Sequence, residues 1–92
     1  MTIARHLLIK GHVQGVFYRG WAVGTARELG LAGWVRNLRR GDVEAVVQGD
    51  ADAVVRFIDL SWQGPPAARV EAIDVTDRAV ETLASFEQRP TV

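Results

Sequence analysis

The 92-residue chain has no cysteine, which excludes disulfide staples, thiolate nucleophiles and cysteine-based metal sites together. Histidine is almost as scarce, with His6 and His12 only. Asp50 and Asp52 suit the start of a helix as cap and dipole partners, and Asp74 and Asp77 have no histidine partner at ligand spacing, so neither a metal nor any other cofactor is expected. Excess charge is missing too. Eleven basic residues balance eleven acidic ones, which argues against a nucleic-acid footprint or a polybasic membrane patch. Near the amino end the longest apolar stretch is Leu7-Leu8-Ile9, far short of a signal-peptide core or a membrane span, so a cytoplasmic location without a membrane partner is expected. What remains is a composition of 48% hydrophobic and 24% charged residues, that of a chain able to bury a core. The length suits one modest core and not two, so residues 1–92 are expected to form one domain, acting as a monomer.

Periodicity places the elements. Ile3 to Lys10 is rich in Leu and Ile and reads as a strand. From Gly20 to Leu29, Ala22, Ala26 and Leu29 recur at helical spacing, and Gly30 is a natural terminator. Gly33 to Leu38 and Val43 to Gln48 read as two strands of a hairpin turned through Arg39-Arg40-Gly41-Asp42. Asp50 is placed to cap a second helix whose apolar stripe is Val54, Val55, Ile58 and Trp62, before Gly64-Pro65-Pro66 stops it. Val70 to Thr76 and Leu83 to Glu87 complete the strands, the last one short and at an edge, with Thr91 and Val92 as a loose tail. The order is βαββαβ with an extra short C-terminal strand. It implies an α+β, ferredoxin-like sandwich: an antiparallel sheet with both amphipathic helices on one face, where each stripe finds apolar surface.

The chemistry concentrates between the first strand and the first helix, in Gly11-His12-Val13-Gln14-Gly15-Val16-Phe17-Tyr18-Arg19. Glycines there allow a tight turn that gathers successive N–H groups, and the helix that follows adds its own unpaired N–H groups. Arg19 supplies a permanently charged fork that matches the spread of phosphate oxygens. Loop and arginine make a pocket for one small phosphoryl group; the alternative for these residues taken alone is a tight turn with a solvated arginine. Arg36, Arg39 and Arg40 form a second basic cluster, read either as a field for small anions or as a solvated turn. Trp21, Trp34 and Trp62 read as core or groove aromatics, with Trp34 packing in the sheet region.

Two signatures here resemble those of the acylphosphatase family. The first is the loop just quoted; the second is Gly33-Trp34-Val35-Arg36-Asn37 followed by Gly41, Val43 and Gly49. The resemblance covers nearly the whole chain and implies the same ferredoxin-like fold. It implies that Arg19 is the phosphate-binding arginine, Asn37 the asparagine that positions the attacking water, and His12, Val13, Gln14, Gly15, Val16, Phe17, Tyr18 and Arg19 the phosphate cradle. The implied substrate is a small acyl phosphate, with inorganic phosphate or sulfate as further ligands of the site. Tyr18 departs from the Phe or Met usual in the family, and its hydroxyl needs a partner if the ring is buried. Ala22 stands where many relatives carry Thr, and Leu38 where a hydroxyl residue is frequent.

The implied reaction suits this inventory of side chains. An acyl phosphate expels a carboxylate whose conjugate acid has a pKa of roughly 4, so the leaving oxygen scarcely needs a proton. Water positioned by an amide, with a substrate phosphate oxygen to take its proton, needs no dedicated base. Charge on the equatorial oxygens is then met by N–H groups and Arg19. Two other classes are weighed against an enzyme. An acylphosphatase-like domain that only binds anions or handles carbamoyl phosphate would share the cradle, and a ferredoxin-like RNA-binding domain would want aromatics on its central strands, which Val43 to Gln48 does not offer.

Overall fold

The computed structural model describes residues 1–92. Its elements run β1 (Thr2–His12), α1 (Tyr18–Glu28), β2 (Ala32–Asn37), β3 (Val43–Asp50), α2 (Ala51–Ser61), β4 (Arg69–Arg78) and β5 (Phe86–Gln88). The sheet order is β4-β1-β3-β2-β5. β1 pairs antiparallel with both β3 and β4, and β2 pairs antiparallel with β3. β5 differs from expectation. It lies at the edge but runs parallel to β2, with Gly33 opposite Phe86 and Val35 opposite Gln88, so the sheet is mixed and not wholly antiparallel. The cause is topological: β5 returns along the far side of β2 after β4 has closed the opposite edge.

Alternation along the strands sorts the two faces. Leu7 and Ile9 of β1, Val35 of β2 and Val43, Ala45 and Val47 of β3 turn toward the helices and are buried with Tyr18, Ala22, Ala26, Val54, Phe57 and Phe86. The aromatic rings form a chain through this core, Tyr18 to Trp21 at 5.4 Å, Trp21 to Phe57 at 6.3 Å and Phe57 to Phe86 at 5.9 Å between centroids. On the other face Trp34 is buried between two guanidinium groups, Arg36 at 4.7 Å and Arg89 at 4.9 Å from its ring centroid. It is thus covered, not presented as a stacking platform.

The helices are bounded by the signals that the sequence carries, with shifts. α1 begins two residues earlier than its apolar spacing suggests, because Tyr18 itself heads the buried row Tyr18, Ala22, Ala26. It ends in a Schellman motif: Gly30, at φ 71°, donates to Arg27 O and Leu31 donates to Ala26 O. α2 is capped by Asp50, whose carboxylate accepts from the Asp52 N–H at 3.2 Å. Its stripe, however, is Val54, Phe57 and Ser61, while Val55 and Trp62 are exposed. Ser61 can occupy that buried row because its hydroxyl donates to Phe57 O at 2.7 Å. The tail is likewise not loose. Val92 donates to Asn37 O and accepts from Arg39 N–H, extending the rim of β2.

Candidate active site

β1 and β2 both run antiparallel to β3, so they are parallel to each other and their carboxyl ends lie on the same side of the sheet. The loop that leaves β1 and the asparagine that ends β2 therefore meet. β5, parallel to β2, brings its last residue Gln88 to the same end. A cavity of about 220 Å³ opens there, lined by Val13, Gln14, Gly15, Phe17, Tyr18, Arg19, Gly20, Asn37 and Gln88. His12 and Val16, both in the expected cradle, do not line it: His12 is exposed at the end of β1 opposite Arg69, and Val16 packs against the core. Gly20 and Gln88 are additions that the sequence reading did not single out. Gly20 is visible only once α1 is known to start at Tyr18, and Gln88 only from the parallel pairing of β5.

The loop is built to present donors. Gly15 at φ 75° and Phe17 at φ 67° are both left-handed, which turns the chain sharply ahead of α1. No backbone N–H from Val13 to Gly20 donates to another backbone group; the first such donor is Trp21, to Phe17 O at 3.0 Å. The leading N–H groups of α1 are thus free where the helix dipole is positive, and its first turn holds no acidic residue. No side chain caps that helix either. These are the conditions under which a helix start takes an anion.

Arg19 adds a full charge. It belongs to none of the ion pairs of the fold, which commit Arg36 to Glu44, Arg40 to Asp42 and Arg89 to Glu87 instead. The basic cluster expected from Arg36, Arg39 and Arg40 is accordingly dispersed. Arg36 faces the open side of the sheet, where its Nε donates to Glu44 Oε1 at 2.6 Å. Asn37 is half-buried, and its side chain makes no hydrogen bond within the protein, although its backbone is fixed by β3 and Val92.

Two neighbours hold the parts in place. Gln14 Nε2 donates to Leu38 O at 2.7 Å and to Asp42 O at 2.9 Å, joining the cradle to the β2–β3 hairpin. Tyr18 finds the partner that its hydroxyl requires: it donates to Ser61 O at 2.5 Å, bridging the start of α1 to the end of α2. Burial drives its pKa well above the ordinary phenol value, so Tyr18 stays neutral. No group of three or more His, Asp or Glu side chains is gathered in the fold, and no helix is long and apolar enough to cross a membrane.

The acylphosphatase family model matches residues 5–88. The acylphosphatase of Rhizorhabdus wittichii is 51% identical over 90 residues, covering 98% of this chain and 91% of that protein. Among solved structures, an acylphosphatase from Coxiella burnetii superposes with a TM-score of 0.93 at 39% identity, over 96% of this chain and 93% of that one. Full-length HypF, in a phosphate- and nucleotide-bound form, contains a region of the same fold, with a TM-score of 0.91 at 26% identity over 99% of this chain but 12% of HypF. With a cradle of free donors, an uncommitted arginine and an asparagine around one cavity, and with relatives alike along nearly its whole length, the chain belongs to the acylphosphatase family, enzymes that hydrolyse acyl phosphates.

Proposed function

We propose that the cavity binds the phosphoryl end of an acyl phosphate, that Arg19 and the N–H groups from Gly15 to Gly20 hold it, and that Asn37 positions the water that attacks phosphorus. One observation carries this reading. The Arg19 guanidinium and the Asn37 amide, neither engaged by another protein group, line the same cavity as a loop whose N–H groups lack acceptors. The water oxygen forms a bond to phosphorus in line with the bridging oxygen, and the bond from phosphorus to that oxygen breaks. Its electron pair leaves on the carboxylate, and the water's proton passes to a phosphate oxygen. Negative charge on the three equatorial oxygens is met by donors that are already oriented and need no rearrangement. The weakly basic carboxylate departs without an acid, in keeping with the absence of one from the cavity lining.

The test is turnover of an acyl phosphate, with chelator present, by wild type and by Arg19→Lys. Wild type is expected to remain active in chelator and to be inhibited competitively by inorganic phosphate, which shares the cradle. Arg19→Lys keeps the charge but loses the two-pronged contact, and its rate is expected to fall about a hundredfold, corresponding to roughly 3 kcal/mol of transition-state stabilisation. Near-normal activity in Arg19→Lys would remove Arg19 from the site, and phosphate inhibition that is absent or not competitive would count against a pocket shared by phosphate and substrate. Phosphate binding without turnover in the wild type would point to an anion-binding module instead.

A further inference from the structure

Phe17 sits at the mouth of the cavity with 76% of its surface exposed, more than any other aromatic residue in the chain. Its backbone is left-handed, at φ 67° and ψ 24°, a conformation that bulky residues adopt uncommonly and that Gly or Asn takes at lower cost. Neither stability nor solubility accounts for a phenylalanine here. The ring is nevertheless given a seat: it lies against Gly20, where a Cβ would collide with Cε1 and Cζ of the ring. The bare surface of Gly20 lets the ring fold onto the first turn of α1, beside the residue that carries the phosphate-binding charge.

Resting on the proposed reading of the cradle, we propose that the Phe17 ring is the platform for the acyl group and selects acyl phosphates whose acyl part is aromatic or otherwise flat and apolar. A phosphoryl group held by the N–H groups from Gly15 to Gly20 must direct its bridging oxygen, and the acyl group beyond it, toward open solvent. Phe17 is the exposed apolar surface among the residues lining the cavity. Gln88, the exposed side chain contributed by β5, is uncharged, so the lining offers no cation besides Arg19 for a second anionic group on the acyl part. A flat acyl group laid on the ring removes apolar surface of both from water and gains the aromatic contact.

The experiment compares kcat/KM for benzoyl phosphate and acetyl phosphate in wild type, Phe17→Asn, Phe17→Tyr and Gly20→Ala, together with the inhibition constant of inorganic phosphate in each. Wild type is expected to prefer benzoyl phosphate. Phe17→Asn removes the ring while retaining a residue that tolerates the left-handed backbone, and the benzoyl-to-acetyl ratio is expected to fall about tenfold. Phe17→Tyr keeps the ring and should keep the ratio. Gly20→Ala should lower it, because the new methyl group takes the seat of the ring. An unchanged ratio in Phe17→Asn, or equal losses on both substrates, overturns the platform. Wild-type protein that binds phosphate but turns over neither substrate overturns the catalytic reading beneath it, an outcome distinct from an unchanged ratio.

Discussion

Gln14, which lines the candidate cavity, is joined to Leu38 of the β2–β3 turn by a hydrogen bond of 2.7 Å from its side chain to the Leu38 carbonyl. A second, to Asp42 O at 2.9 Å, uses the same amide nitrogen, so one side chain fixes the cradle to both sides of the hairpin turn. Leu38 directly follows Asn37. The separation of the proposed phosphate-binding loop from the proposed water-positioning group therefore depends on Gln14.

Gln14→Ala should lower turnover, since a displacement of about 1 Å between reacting groups can cost about a hundredfold in rate. It also removes one of the two donors to each carbonyl, Leu38 O keeping the Gly41 N–H and Asp42 O the Leu38 N–H, so a loss of only about 1 kcal/mol in stability is expected. Gln14→Glu should be no better, because an ionised carboxylate offers no donor and faces two carbonyl oxygens. Thermal unfolding and turnover measured on the same preparations check this. Normal turnover by a correctly folded Gln14→Ala protein would show that the hairpin holds its place without the bridge.

Tyr18→Phe isolates the other bridge. The ring remains in its seat against Gly64, whose Cβ position lies 2.6 Å from Tyr18 Cε2, and only the hydroxyl is lost. Ser61 O then lacks its side-chain donor in a buried setting, and a loss of about 1 kcal/mol is expected, a fall in Tm of about 4–8 °C for a domain of this size. Phosphate affinity should change little, because the hydroxyl points to α2 and not into the cradle. Differential scanning calorimetry beside phosphate titration distinguishes the two effects.

Glu44 governs an acid limb of stability. Burial works to raise the pKa of its carboxyl group, but hydrogen bonds from His6 and Arg36 and the attraction of both charges outweigh it, and the pKa lies below the ordinary 4.5. A carboxyl group more acidic folded than unfolded stabilises the fold above the unfolded pKa, and this contribution disappears as pH falls through the folded value. Stability is therefore expected to drop as pH is lowered below about 4.5. Glu44→Gln should be less stable than wild type at neutral pH and lose less on acidification. Urea unfolding at pH 7 and pH 3.5 reads both; parallel losses in the two proteins would assign the acid limb to other groups.

The parts of this fold that were legible in the sequence are those specified locally. Gly30 marks the end of α1, Asp50 caps α2, and the alternation of Val43, Ala45 and Val47 sets the buried face of β3. What escaped depends on contacts distant in sequence. Nothing local distinguishes a parallel from an antiparallel β5, and its direction alone brings Gln88 to the cavity. Val55 and Trp62 have the hydropathy of core residues, yet the orientation of α2 selects Phe57 and Ser61, the latter made compatible with burial by its bond to Phe57 O. Arg36, Arg39 and Arg40 are neighbours in sequence but are divided by the pleat and the turn, and Glu44 and Asp42 claim two of them. Arg19 and Asn37, by contrast, carry readable motifs, and the parallel course of β1 and β2 explains why residues eighteen positions apart share one cavity.

Asn37 offers the sharpest separation of binding from catalysis. Its amide makes no hydrogen bond in the protein, so the side chain is not a cap of the hairpin, and its backbone is held by β3 and Val92 whatever the side chain. Asn37→Ala is therefore expected to unfold at nearly the wild-type temperature. Phosphate affinity should also stay close to wild type, because in the proposed site Arg19 and the loop N–H groups do the holding. Turnover should fall about a hundredfold, since the nucleophile loses the group that orients it while the phosphoryl group remains bound. Asn37→Asp should not recover the rate: its carboxylate would repel the anionic substrate and, when ionised, has no donor with which to orient water. Measuring kcat, the inhibition constant of inorganic phosphate and Tm on one preparation of each variant distinguishes the roles. A loss of phosphate affinity as large as the loss of turnover would make Asn37 a phosphate ligand, and a large fall in Tm with normal turnover of the folded protein would make it a structural residue.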